Sequence, residues 1–566
     1  MSGQRILGNK ALTHFDAIVV GSGAGGGPVA HMLCKHGLNV LVLEAGPNHF
    51  DFLDDATRQP VPRHSNDELK FSWRGFISPD ERLEPRSFRK SSAEGDRSFV
   101  GDVNGLPKHV GGGAVHADLK MPRFEPWDFH LASLLGDVPN ANFADWPITY
   151  DQLEPFYAYV EKEIGIQGLA GANPFEGPRS GPFPMPPGVP MYVAEVASKG
   201  LKKLGYTPFP YPTAVNSVPY DGRPACNDCG FCSGFGCAIN AKGAPVVSML
   251  RKALLSGHCL MLAETRAVRL LTNSAKSSIT GVETVGPDGP ATYTADRYVL
   301  AASPIEDVRL LQLSGGIGNG SDQVGRNLMF HYQTTAVGIF EERLHGHRGR
   351  AVSHGFADFR GKPGDATRPL GGIVEISGSE GPVDEAGYYA QIIQRLSLKW
   401  DGKRFKSLMR ESPFRDHIIV LVIQAEDAPQ ATNRVDLDPA LVDFQGRPIA
   451  RITYANHAFE TSASQFYAPK LLDILAASGA RWAANPPIDD ISKSDHIMGT
   501  LRFGSDPKTS VCNAVGRFHD VDNLYCTDGA VFPTSSGYNP THTIITLATR
   551  VAADMVNPGS PEKSLV

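Results

Sequence analysis

No run in this sequence approaches the roughly 18 consecutive apolar residues that a bilayer-spanning helix needs, so no membrane span of its own is expected. Excess positive charge is also lacking: 54 Lys and Arg stand against 60 Asp and Glu, a net charge of −6. No basic patch stands out, which argues against nucleic acid as a partner. The first residues, MSGQRILGNKALTHFDAIVV, contain neither an apolar signal core nor a twin arginine. The expectation is a chain that stays in the cytoplasm or crosses a membrane carried by a partner. No internal repeat is visible. Cysteine is scarce, eight in 566 residues, and four of the eight fall in one dodecapeptide, CNDCGFCSGFGC, at 226–237. The others, Cys34, Cys259, Cys512 and Cys526, are scattered and read as small buried hydrophobes.

Glycine (59) and proline (43) are plentiful, so long loops and many turns are expected. At this length the chain should divide into more than one domain. The most informative N-terminal stretch is FDAIVVGSGAGGGPVAHMLCKHGLNVLVLEAG. Asp16 to Val20 is an apolar run suited to a buried parallel strand. Gly21, Gly23 and Gly26 follow as GxGxxG, then a helix over Pro28 to His36 that stops at Gly37. A second apolar strand ends at Glu44. This is the pattern of a dinucleotide site. The first glycine makes the tight turn, the second lets the backbone approach a pyrophosphate, and the third lets helix and strand pack closely. The helix N-terminus offers N–H donors to phosphate, and the acid can hold ribose hydroxyls. Its place at the start of the chain favours FAD over a nicotinamide, by analogy.

The four clustered cysteines, Cys226, Cys229, Cys232 and Cys237, are spaced C-x2-C-x2-C-x4-C. Structural zinc usually takes two separated CxxC knuckles. Paired disulfides would need very short loops and an oxidising site. A redox pair needs only one CxxC. An iron–sulfur cluster suits the crowding best, because ferredoxin-type ligands run C-x2-C-x2-C and Gly230, Gly234 and Gly236 give the loop freedom to wrap. Zinc, disulfide and plain packing remain as alternatives.

Several separated pieces resemble the glucose–methanol–choline oxidoreductase family, its sugar- and gluconate-dehydrogenase large-subunit branch most of all. KHVGGGAVHADLKMPRFEPWDF (108–129) resembles the family's second glycine-rich segment, which lies along the flavin. RYVLAASPIEDVRLLQLSG (297–315) and VGRNLMFH (324–331) resemble the return to the FAD domain. SDHIMGTLRFG (494–504) and NLYCTDGAVFPTSSGYNPTHTIITLATRVAADMV (523–556) resemble the catalytic segments. The stretch from about 335 to 425 matches only loosely. The resemblance implies an α/β fold: a Rossmann-like FAD-binding domain built from discontinuous segments, plus a substrate domain with a mainly antiparallel sheet. The expected division gives 1–150, 225–330 and 481–566 to the FAD domain, and 151–224 and 331–480 to the substrate domain. The Pro/Gly-rich stretch 171–190 reads as a long loop covering a site. HIIVLVIQAED (417–427) and NRVDLDP (433–439) read as strands with a turn.

The resemblance also implies site residues. His496 matches the catalytic histidine and Asn539 the second catalytic position. A neutral imidazole can take the hydroxyl proton as a hydride leaves, and an amide can hold the substrate oxygen without competing as a base. A lone histidine in this setting more often caps a turn; the flanking HIMGT and the downstream GYNPT favour catalysis. His542, three residues past Asn539, is not at the matching position. Gly111, Gly112, His116, Ala117, Val268, Asp528 and Gly529 are placed beside FAD. A histidine at the place of His116 is bonded covalently to flavin in some relatives; noncovalent FAD is the expectation here. Gln424 and Glu426 are candidates for the sugar pocket. The cysteine insert implies a cluster: a three-iron one, with one thiol to spare, is favoured over a four-iron one held by all four.

The function this implies is an FAD-dependent dehydrogenase that oxidises a sugar or glycoside, with C3 as one target. Electrons would leave through the cluster to a partner such as cytochrome c. A small subunit bearing an export signal would carry the chain to the periplasm. The runners-up are an oxygen-using sugar oxidase with a structural cysteine loop, and a noncatalytic flavoprotein subunit.

Overall fold

The structure, a computed structural model, describes residues 4–52, 59–63, 80–101, 103, 106–365, 367–378, 386, 399, 401–411, 416–486 and 494–566. Of the loosely matching 335–425 segment, residues 379–385, 387–398 and 412–415 therefore lie outside the described residues.

A six-stranded sheet runs in the order Ile6–Gly8, Cys259–Leu262, Val40–Leu43, Ala17–Val20, Arg297–Leu300, Leu524–Cys526. All neighbours pair parallel except Ile6–Gly8, which is antiparallel to Cys259–Leu262. The central strands AIVV and VLVL are buried at every residue, as strands covered on both faces must be. The N-terminal helix, Gly26–Lys35, packs against Met249–Leu255 and the C-terminal helix Thr541–Val556. It starts two residues earlier than the sequence pattern suggests, at the third glycine of the motif.

A second six-stranded sheet is antiparallel throughout, in the order Trp482–Ala484, Tyr332–Ile339, Ile418–Ala425, Gly372–Ser377, His354–Phe356, Phe209–Pro210. Ile419, Leu421 and Ile423 alternate inward to a separate core cluster beneath helix Ala458–Ala477. The strand Trp482–Ala484 belongs to this sheet, although it lies just past the boundary expected at 480. A four-stranded sheet joins Arg434–Val442, Pro448–Thr453, Arg86–Arg89 and Phe99–Gly101, so it draws on segments expected in both domains. Both 417–427 and 433–439 contain strands, but in different sheets. The link between them is therefore a crossover, not a hairpin turn. Among the described residues no helix is long and apolar enough to cross a membrane.

Candidate active site

The strand Ala17–Val20 delivers the chain to Gly21, whose φ is +104°. A Cβ there would sit 2.2 Å from the carbonyl oxygen of Ala301, and one on Gly26 would sit 2.0 Å from that of Gly21. Only glycine fits either position. Gly23 faces Gly112 across a narrow gap: a Cβ on Gly23 would stand 3.7 Å from the Gly112 Cα. Two glycine-rich backbones thus oppose each other. Ser22 Oγ accepts from the Gly111 N–H at 2.9 Å and donates to Glu44 Oε2 at 2.6 Å. Glu44 also accepts from the Ser22 and Gly46 N–H groups. Burial pushes its carboxyl above the usual range, against the pull of those hydrogen bonds.

Between these walls lies a cavity of about 600 Å³. Gly21, Gly23, Glu44, Gly112 and Val268 line it, as do His116, Ala117, Asp528 and Gly529, and so do His496 and Asn539. Gly26 and Gly111 do not line it; they permit close packing behind it, Gly111 against Val115 and Val246. Backbone at Gly21 and Gly26 that a Cβ would obstruct, and the buried Glu44 in the same cavity wall, fit a flavin dinucleotide. None of residues 171–190 lines the cavity, which corrects their expected role as a cover. That loop is anchored elsewhere, by Arg179 ion-paired to Glu161 at 2.5 Å and Glu176 at 2.7 Å.

In the same cavity wall, His496 Nδ1 is 2.8 Å from His331 Nδ1, and His331 Nε2 lies 2.9 Å from the Ser536 carbonyl. A carbonyl only accepts, so His331 carries its proton on Nε2 and accepts at Nδ1. His496 therefore donates from Nδ1, which leaves its Nε2 lone pair as the base. Burial first, then the nearby His331 and Lys120, hold His496 well below the ordinary imidazole value. Burial pushes His331 down to about 4. Both are neutral at neutral pH.

Asn539 is fixed at both ends of its amide. Oδ1 accepts from the Tyr211 hydroxyl at 2.5 Å, and Nδ2 donates to Glu375 Oε1 at 2.9 Å. One N–H of the amide remains for a ligand. Glu375 also takes Gln424 Nε2 at 3.2 Å and pairs with Lys120 at 2.5 Å. Lys120 reaches Asp118 at 3.0 Å as well. Burial opposes its charge, but the two carboxylates outweigh it and hold the ammonium above its usual value. Gln333 donates to Gln424 at 3.1 Å, and both amides line the cavity.

Glu426 does not line it, contrary to expectation: its side chain is buried against Arg360 at 2.9 Å and Ser535 at 3.1 Å. Residues two apart share a face only within a strand, and this strand ends at Ala425, so Glu426 is not held on the face of Gln424. His542 is also behind the wall, donating from Nδ1 to the Met121 carbonyl at 3.0 Å. His331, Lys120, Tyr211, Gln333 and Glu375 were not singled out from sequence. His331 closes the segment VGRNLMFH and Lys120 lies in the second glycine-rich segment, so both were within reach of pattern. The other three carry no local signal.

The cysteine loop forms part of the same cavity wall through Ser233, Gly234 and Phe235. The Gly234 N–H donates to the His116 carbonyl at 3.0 Å. Gly230 (φ +84°) would place a Cβ 2.2 Å from the His347 carbonyl oxygen, so the turn there demands glycine. All four thiols are free, with Cys232 buried and the others half-buried. Burial raises Cys226 to about 11 and Cys232 to about 12. No three of the thiols lie within 4.8 Å of one another. A single tetrahedral zinc with Zn–S bonds of about 2.3 Å would draw its sulfurs to about 3.8 Å apart. Four free thiols on one loop are the donor type that an iron–sulfur cluster takes.

Residues 190–333 match the N-terminal model of the GMC oxidoreductase family, and 429–548 its C-terminal model. The chain belongs to the GMC oxidoreductase family. The fructose dehydrogenase large subunit of Gluconobacter japonicus is 28% identical over 97% of this chain and 99% of its own length. The gluconate 2-dehydrogenase flavoprotein of Pantoea cypripedii is 27% identical over 96% and 94%. The paromamine 6′-oxidase of Streptomyces fradiae is 27% identical over 96% and 92%. Among solved structures, the pyridoxine 4-oxidase from Mesorbium loti superposes with a TM-score of 0.63 at 17% identity, covering 95% of this chain and 98% of that one. That likeness, like the formate oxidase of Aspergillus oryzae at 0.60 over the whole of both chains with 14% identity, bears on the fold alone. As a GMC oxidoreductase the protein uses FAD and acts on CH–OH groups.

Proposed function

We propose that this chain is the catalytic subunit of a dehydrogenase that oxidises a sugar or glycoside hydroxyl to a carbonyl, C3 of a glycoside being one target. The observation that carries the reading is that His496, Asn539 and the wall of the cysteine loop share one cavity. FAD, when bound, supplies the hydride acceptor. Gly21, Gly23, Glu44, Gly112, His116, Ala117, Val268, Asp528 and Gly529 would hold it, without a covalent bond at His116. His496 takes the hydroxyl proton at Nε2, its orientation and tautomer set by His331. The remaining Asn539 N–H holds the substrate oxygen. Gln333 and Gln424 offer amide hydrogen bonds to the other hydroxyls. Lys120 and Glu375 keep Asn539 in place.

Cys226, Cys229, Cys232 and Cys237 would supply the ligands of an iron–sulfur cluster, three-iron in our reading, whose chemistry is one-electron transfer. An acceptor protein such as cytochrome c would take those electrons. The names of the relatives support a sugar-type substrate, and the words "large subunit" support a smaller companion. We assign that companion the export signal and the complex to the periplasm. A second reading, an oxidase with a structural cysteine loop, is favoured by the similar identity to the paromamine oxidase.

Anaerobic addition of candidate sugars to the purified protein, with iron and sulfide analysis of the same sample, tests the reading. Bleaching of the flavin by a sugar together with bound iron is expected. Stoichiometric peroxide in air and no iron would select the oxidase, and no bleaching by any sugar or glycoside would reject both.

A further inference from the structure

Beside the cysteine loop, two buried cations have no carboxylate at ion-pair distance among the described residues. Lys242 is 3% exposed, and its Nζ meets three carbonyl oxygens: Ala117 at 3.0 Å, Cys232 at 2.9 Å and Phe235 at 2.7 Å. Three acceptor-only partners require three N–H groups, which only the ammonium form supplies. Among the described residues no carboxylate is within ion-pair distance of it. Arg350 is 5% exposed. Its Nη1 donates to the Gln167 side-chain oxygen at 3.0 Å and its Nη2 to the Val189 carbonyl at 2.8 Å. Its Nε is buried without a hydrogen-bond partner, and no carboxylate pairs with it among the described residues. Asp228, Cys226 and Cys232 lie within its electrostatic reach. Lys242 likewise acts on Cys232.

Buried cations in proteins are paired or hold an anion, because an uncompensated charge in a poorly polarisable interior is strongly disfavoured. Here two of them approach the same four-thiol loop with only neutral partners at hydrogen-bond distance. Dipoles from carbonyls account for the Lys242 hydrogen bonds but not for the orphaned Arg350 Nε.

We propose that Lys242 and Arg350 are the built-in counter-charges of an anionic iron–sulfur group on the cysteine loop and raise its reduction potential. The inference rests on the reading that this loop holds a cluster. Thiolate ligands make such a group a polyanion. Adding one electron adds one negative charge, and a fixed cation nearby stabilises the reduced form more than the oxidised one. Lys242 does more than compensate charge: it ties the Ala117 carbonyl, on the flavin-side wall, to the Cys232 and Phe235 carbonyls of the loop. It therefore fixes the spacing between the two walls. Neither residue touches the substrate end, so both are positioning residues, not catalytic ones.

The test uses the full-length protein purified without oxygen, together with any subunit that copurifies. Arg350→Gln and Lys242→Met are compared with the charge-keeping Arg350→Lys and Lys242→Arg. Iron, acid-labile sulfide and flavin are measured per chain, and the cluster midpoint potential is read by redox titration with electron paramagnetic resonance. Arg350→Gln is expected to lower the one-electron reduction equilibrium at least tenfold, about 59 mV, with flavin content unchanged. Arg350→Lys should recover most of that shift. Loss of iron from both neutral variants, with flavin retained and iron restored in the charge-keeping ones, supports the proposal equally. Wild-type protein with iron, and neutral variants that keep both the iron and the wild-type midpoint, would overturn this inference alone. Wild-type protein with no iron or sulfide would remove the cluster reading and this inference with it.

Discussion

At the nucleotide end of the cavity, Gly21 and, packed behind it, Gly26 work through the side chains they lack, within six consecutive residues. At the reaction end, Lys120, Tyr211, His331, Glu375, Gln424, His496 and Asn539 work through side chains drawn from across the whole chain. The first end is a constraint on backbone geometry, with a carbonyl 2.2 Å from any Cβ on Gly21. The second is a hydrogen-bond network in which each group orients the next. Backbone constraints tolerate nothing larger than hydrogen, whereas a network can lose an outer member and keep part of its function. Damage should therefore be all-or-none at one end and graded at the other.

Gly21→Ala is the harshest test of that contrast. The new Cβ cannot clear Ala301 at φ +104°, so the variant should purify without flavin or fail to fold, read from the ratio of flavin to protein absorbance. A yellow, active Gly21→Ala protein would erase the difference between the two ends. His496→Ala should come next, lowering turnover by about 10²- to 10⁴-fold with flavin retained; near-normal turnover would remove it as the base.

Inside the network, pH separates the members. A base must be neutral, and the neutral fraction is lost as pH falls through its pKa. His496 is held well below 6.5, so the acid limb of the kcat profile should lie below pH 6.5. His331→Gln removes one of the groups that depress it. The limb should then move up towards 6.5, and turnover should drop about tenfold, equivalent to the roughly 1.4 kcal/mol of a good hydrogen bond. An unmoved limb would detach His331 from the base. The mildest change, Gln424→Ala, should raise KM about fivefold, for roughly 1 kcal/mol of lost hydrogen bonding. Glu426→Gln, two residues on but facing Arg360, should leave KM unchanged in the same steady-state assay.

Some of this is legible in the sequence alone. GxGxxG, the flanking apolar strands and Glu44 are neighbours in sequence, and a strand–turn–helix unit reports its own geometry. The crowding of Cys226 to Cys237 is likewise local. His496 and Asn539 were reachable through family likeness. The limits show at Gln424 and Glu426, which carry equal weight as text. One lines the cavity and the other is an ion-pair partner, because the strand between them ends at Ala425. The loop 171–190 reads as a cover, yet Arg179 fastens it to Glu161.

By itself the sequence determined where backbone must pass close to backbone and where thiols must crowd, since both follow from residues a few positions apart. Only the tertiary structure decided that His331 sets the tautomer of His496, that Tyr211 and Glu375 grip Asn539, and that Lys242 and Arg350 are both buried beside the cysteine loop with no carboxylate at ion-pair distance among the described residues. Those relations join residues up to several hundred positions apart, and hydrogen bonds and charges act through distances in space that sequence spacing does not encode.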